Sequence, residues 1–217
     1  MKKYEYIFWD FDGTLVDTKI GTRESAWYAL KHFNKNIKKD ECLENIFSGP
    51  PLKDSFKKFG LNDGEINEAI KIYRKYQCEN TIELSVLFDG IEEMLKTLKL
   101  QGKKLIIVTA KVEAAVKKIL DYLDIYKYFD LVVGATEDSS RIKKDEILSY
   151  AISCIKDIAI SESIMIGDRA SDIKAGLNHH MDTIGVLYGM DNRDILQDTG
   201  ATYIAENVDQ IMEILGR

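Results

Sequence analysis

The sequence predicts an α/β fold, a parallel sheet covered by helices on both faces, with an all-helical segment inserted after the first strand. Three observations predict it. Short apolar runs recur along the 217 residues without polar alternation, as strands buried on both faces require. Amphipathic helical stretches separate most of these runs, which implies right-handed crossovers between parallel strands. One long stretch, from Asp17 to about Leu87, has helical periodicity and no convincing strand.

Tyr6-Ile7-Phe8-Trp9 is the first strand. After it, Ala26, Ala29, Leu30 and Phe33 share helical spacing. Gly49 and the paired Pro50 and Pro51 mark a loop and a helix start. Asp63 is placed to N-cap a helix carrying Ile66, Ala69, Ile70, Tyr73 and Tyr76. A crossover needs only one helix, so this segment reads as a small domain of its own. The division is residues 17–87 for the helical domain, with Trp27, Phe56 and Tyr73 as its core, and residues 1–16 with 88–217 for the α/β core.

The alternation then begins. Asp89 and Glu92 form a capping box for Ile91, Met94, Leu95 and Leu98. Leu105-Ile106-Ile107-Val108 is the second strand, and Val112, Ala115, Val116, Ile119 and Leu120 form the stripe of the next helix. Leu131-Val132-Val133 is the third strand, followed by a helix through Leu148, Ala151, Ile152 and Ile155. Ile164-Met165-Ile166 and Thr183-Ile184-Gly185-Val186 complete five strands.

Composition narrows the function. The chain is 45% hydrophobic and 30% charged, an ordinary globular balance. Its 36 acidic and 30 basic side chains give a formal charge of -6, against a general nucleic-acid binder. Cys42, Cys78 and Cys154 are scattered and odd in number, so neither a disulfide framework nor a zinc site is expected. No run of ~18 apolar residues suggests a membrane span, and a cytoplasmic protein, monomer or homodimer, is expected.

The chemistry sits at strand ends, where open α/β sheets bind ligands. Asp10-Phe11-Asp12-Gly13-Thr14 follows the first strand. Two carboxylates separated by one residue point in different directions, so one can attack while the other handles protons. Together they attract a hard cation such as Mg²⁺. Thr109 ends the second strand; its hydroxyl suits a phosphoryl oxygen and equally an N-cap. Lys143-Lys144 precedes a helix near Asp145, and a lysine there could neutralise phosphate charge and steady a carboxylate nucleophile. Gly167-Asp168-Arg169-Ala170-Ser171-Asp172 follows the fourth strand and offers two acids for a metal and its waters.

Asp10-Phe11-Asp12-Gly13-Thr14-Leu15-Val16-Asp17-Thr18, Thr109, Lys144 and Gly167-Asp168-Arg169-Ala170-Ser171-Asp172 resemble the four motifs of the haloacid dehalogenase superfamily. The helical insertion resembles that family's C1 cap, as in phosphoglycolate phosphatase-like hydrolases. The resemblance implies a Rossmann-like core with the first strand central and the second and fourth beside it. It departs at the third motif, where Arg141-Ile142-Lys143-Lys144-Asp145 lacks the usual Lys-Pro.

The resemblance also implies Mg²⁺-dependent hydrolysis of small phosphorylated metabolites through an aspartyl phosphate. Asp10 is then the nucleophile and Asp12 the acid–base. Asp10, Asp168 and the Asp12 carbonyl are the metal ligands. Thr109 and Lys144 hold phosphate, and Asp172 supports the metal water or Lys144. In the cap, Gly49-Pro50-Pro51-Leu52-Lys53 resembles a substrate-facing loop, with Lys53 as a candidate contact. Hinges are expected near Asp17-Thr18 and Leu84–Phe88. His32, His179 and His180 show no catalytic pattern and read as surface or packing residues. A phosphomutase with the same site and a phospho-accepting signalling module are the alternatives.

Overall fold

The computed structural model describes residues 3–35, 37–38, 43–48 and 51–216. Cys42, Gly49 and Pro50, singled out above, lie outside the described residues. The elements run β1 (Tyr6–Trp9), β2 (Val16–Asp17), α1 (Lys19–His32), α2 (Leu43–Phe47), α3 (Leu52–Lys57), α4 (Asp63–Asn80), β3 (Val86–Leu87) and α5 (Ile91–Leu100). They continue with β4 (Lys104–Val112), α6 (Glu113–Tyr122), β5 (Leu131–Ala135), α7 (Lys144–Ser153), β6 (Ser163–Gly167) and α8 (Ala170–Asn178). The chain closes with β7 (Asp182–Val186), α9 (Arg193–Asp198), β8 (Tyr203–Ala205) and α10 (Val208–Leu215). It divides into two compact units, Met1–Val16 with Leu87–Arg217, and Asp17–Val86.

The larger unit is built on a parallel six-stranded sheet of order β5-β4-β1-β6-β7-β8. β1 lies between β4 and β6, with Trp9 level with Ile107 on one side and Ile166 on the other. The apolar runs are buried on both faces, which is why they show no alternation: Ile7, Phe8, Trp9, Leu105, Ile106, Ile107, Ile164, Met165 and Ile166 are all inaccessible. On one face Phe8, Ile106, Val108, Val133 and Met165 pack against Ile147, Leu148 and Ala151 of α7 and Ala175 of α8. Full burial of one such side chain is worth about 1.5–3 kcal/mol.

The smaller unit packs α1 to α4 around Ala26, Ala29, Leu30, Leu43, Phe47, Phe56, Leu61, Ile66, Ala69 and Tyr73. Phe47 meets Phe56 edge-on at 4.8 Å, and Trp27 is partly buried at the margin. Lys53 is exposed and pairs with Asp63 at 3.4 Å.

Four local expectations need correction. The cap of α4 is Asn62, one residue earlier than Asp63: its Oδ1 accepts from the Gly64 and Glu65 amides at 3.0 Å, and Glu65 returns a bond to Asn62 N at 2.8 Å. An N-cap needs extended backbone, which Asn62 has, while Asp63 is already helical. The Asp89–Glu92 capping box does not form, because a turn that bonds Ile91 N to Phe88 O makes Gly90, with no side chain to offer, the N-cap of α5. β4 does not stop at Val108 but runs to Val112, so Val112 belongs to the strand and α6 begins at Glu113. A sixth strand, β8, lies at the sheet edge with Tyr203 and Ile204 only partly buried, and was not among the five runs read above.

Candidate active site

The sheet order brings the ends of β1 and β6 together at one switch point. Asp10 leaves β1 with its amide bonded to Ile166 O of β6 at 2.8 Å, so the chain is still in register with the strand that delivers Asp168. Asp10, Asp168 and Asp172 are buried, and one oxygen from each lies within 4.8 Å of the others. Lys144 reaches in from the first turn of α7. Its ammonium pairs with Asp10 Oδ1, with Asp172 Oδ1 at 2.8 Å, and donates to Val108 O at 3.0 Å. Lys143 instead points outward, 77% exposed, beside Glu146.

The electrostatics follow from burial. Desolvation, opposed by Lys144 and reinforced by Asp172, pushes the Asp10 carboxyl up to about 6. Asp168 is held well above the usual carboxylate range by burial first, then by Asp10 and Asp172. Burial works against the Lys144 ammonium, but Asp10 and Asp172 outweigh it and raise its pKa above the ordinary lysine value. Clustered buried carboxylates that repel one another are the donor set of a hard divalent cation, so Asp10 and Asp168 fit Mg²⁺.

Asp168 is held by a loop that sequence reasoning missed, Tyr188 to Asp191 after β7. Met190 N donates to Asp168 Oδ2 at 2.9 Å and Asp191 N to Asp168 O at 3.1 Å. Gly189 passes so close that a Cβ there would meet Asp168 and lie 2.6 Å from Gly13 O. The Tyr188 hydroxyl donates to Thr14 O at 3.0 Å, and Thr14 Oγ1 donates to Asp168 Oδ1 at 3.4 Å. The available signal was a glycine just beyond an apolar strand, the position the other motifs occupy.

Thr109 is buried within β4 rather than N-capping a helix, since Val112 is the residue before α6. Asp12 stands apart from the acidic cluster. Its carboxylate is 33% exposed and pairs with Lys111 at 2.9 and 3.3 Å. Lys111 was also missed, because the apolar run ends three residues before it. Lys53 belongs to the other compact unit. Among the described residues no helix is long and apolar enough to cross a membrane.

Residues 7–186 match the model of the haloacid dehalogenase-like hydrolase family. The chain is similar to the tyrosine-protein kinase PtkA of Mycobacterium tuberculosis, 30% identical over 214 residues that make up 98% of this chain and 72% of that protein. It is similar to the pyrophosphatase PpaX of Halalkalibacterium halodurans, 31% identical over 215 residues, 97% of this chain and 96% of that one. A solved structure of a predicted phosphatase from Clostridium acetobutylicum matches with a TM-score of 0.90 at 33% identity, over 98% of each chain.

Proposed function

Because this chain belongs to the haloacid dehalogenase-like hydrolase family and is a phosphatase, we propose that it hydrolyses small phosphate monoesters through an aspartyl phosphate on Asp10. The observation that carries the reading is the Asp10 carboxylate itself, held at the end of the central strand by Lys144 and gathered with Asp168 and Asp172.

In the first step an Asp10 carboxylate oxygen attacks phosphorus. The bond to the leaving oxygen breaks, and Asp12 gives that oxygen its proton. In the second, Asp12 takes a proton from water, whose oxygen attacks phosphorus, and the bond to Asp10 breaks to free inorganic phosphate. Lys144 and Thr109 hold phosphoryl oxygens, and Asp172 keeps Lys144 in place. Asp10, Asp168 and the Asp12 carbonyl would hold Mg²⁺, which supplies charge neutralisation at the phosphoryl group. The helical unit, Asp17–Val86, serves as the cap that selects the alcohol half, with Lys53 as a candidate contact.

Hydrolysis of 4-nitrophenyl phosphate with and without Mg²⁺ tests the proposal. Turnover is expected to need Mg²⁺ and to vanish in Asp10→Asn while the fold is kept. Activity indifferent to chelation, or retained in Asp10→Asn, overturns it. Phosphate release without a bisphosphate activator separates hydrolase from phosphomutase, and a stable phospho-adduct without turnover marks a signalling module.

A further inference from the structure

We propose that Lys111 is a positioning residue for the acid–base group: its ammonium fixes the Asp12 carboxylate in the pose from which it exchanges protons with the leaving oxygen and with water. The inference rests on the acid–base reading of Asp12 given above.

Lys111 is nearly inaccessible, its side chain 4% exposed. An ammonium is withdrawn from water at high cost unless a carboxylate compensates it. The compensation is Asp12, which receives it with both oxygens at 2.9 and 3.3 Å while its own side chain stays one-third exposed. The two ammoniums thus divide the two aspartates of the first motif. Lys144 takes Asp10, and Lys111 takes Asp12. Carboxylates two residues apart are kept in separate places and separate roles.

The backbone is shaped to bring Lys111 there. Val108 pairs with Val133 and Val112 with Ala135, so four residue steps along β4 span two along β5. Irregularities of this kind re-aim side chains beside active sites. Gly134 permits it: a Cβ there would lie 2.6 Å from Lys111 O and 2.7 Å from the Glu113 Cα. Thr109 and Lys111 are both buried, with exposed Ala110 between them. The Lys111 amide donates to Thr109 Oγ1 at 3.2 Å, which occupies an acceptor site and leaves the hydroxyl proton to donate to a phosphoryl oxygen. One residue therefore orients both the proton-transfer group and the hydroxyl donor.

The test is the leaving-group dependence of Lys111→Met, a variant that keeps the apolar stem and removes the charge. Protonation matters little for 4-nitrophenolate and much for an alkoxide. Loss of kcat/KM is expected to be about 10²-fold greater on glycerol 3-phosphate than on 4-nitrophenyl phosphate, the effect of misplacing a proton-transfer group. On the aryl ester the second step becomes limiting, so a burst of nitrophenolate precedes slow turnover. Lys111→Arg restores part of the alkyl-ester activity, and it carries the test if circular dichroism shows the Met variant unfolded. In that case a loss in Lys111→Arg confined to the alkyl ester supports the inference, and none, or equal loss on both esters, overturns it. Equal loss on both esters in Lys111→Met, or a rise in KM at constant kcat, also overturns it. Asp12→Asn is the control. If it shows the alkyl-selective loss and Lys111→Met does not, only the inference falls. If Asp12→Asn loses both esters equally, the acid–base reading itself falls.

Discussion

Gly189→Ala isolates the loop that holds Asp168. Gly189 does not use the left-handed backbone region, so alanine brings no conformational strain there. Its effect is steric. The added Cβ would lie 2.6 Å from Gly13 O and closer still to Asp168, whereas real Cβ atoms stay at 3.0 Å or more. The gap to the Gly13 carbonyl must therefore widen by at least 0.4 Å, and the gap to Asp168 by more. Asp168 is wholly buried, so it has no empty space to retreat into. Either the loop lifts and stretches the 2.9 Å bond from Met190 N, or Asp168 turns away from Asp10.

Overpacking of this kind costs about 1–3 kcal/mol. For a chain of this length that is roughly 2–12 °C in Tm, so the variant should fold. Activity should suffer more, since displacing a positioned group by about 1 Å can cost about 10²-fold. Thermal melts establish folding, and steady-state hydrolysis of 4-nitrophenyl phosphate across a Mg²⁺ titration reads the effect. We expect a weaker response to Mg²⁺ and a kcat/KM lower by about two orders of magnitude. A folded variant within twofold of the parent at every Mg²⁺ concentration would refute the role given to this loop.

Two further predictions follow from burial and charge. Lys144→Met strands the Asp10 and Asp172 carboxylates, costing about 3–5 kcal/mol and all measurable turnover, whereas Lys143→Met, on an exposed side chain, should move neither stability nor rate beyond about 0.5 kcal/mol; equal effects of the two substitutions would contradict the site geometry. At Asp130, burial pushes the carboxyl up, but bonds from Lys99 Nζ at 2.8 Å and Leu105 N at 2.9 Å, with Lys99 and Lys104 charge, bring it below the usual range. A lowered folded-state pKa stabilises above the unfolded value, near 3.9, and that stabilisation is lost as pH falls through the folded value. Asp130→Asn should therefore destabilise by about 1 kcal/mol at pH 7 and by progressively less below about pH 4. Denaturant titrations at pH 7 and 3 check this, and a gap that does not narrow in acid contradicts it.

Much of this protein was written in its sequence, for a local reason. Runs such as Tyr6–Trp9 and Ile164–Ile166 are apolar on every residue because the sheet is covered on both faces, and that burial leaves its mark on each residue separately. The polar residues that end those runs, Asp10 and Asp168, stand out against them. The helical segment after the first strand was legible too, since stripes such as Ala26, Ala29 and Leu30 are a period anyone can count.

What the sequence could not decide is which groups meet. Lys143 and Lys144 are chemically identical neighbours; only the direction of the first turn of α7 buries one against Asp10 and leaves the other in water. Lys111 lies beyond the apolar run, on a stretch whose spacing also suits a helix, and its meeting with Asp12 depends on an irregular ladder with β5. The hold of Met190 on Asp168 joins residues 22 apart in sequence. Such contacts are set by strand order and loop path, which couple residues with no shared local pattern. Propensity and periodicity fix the elements one at a time, while the charge balance of the site exists only once β1, β4, β6 and α7 have converged.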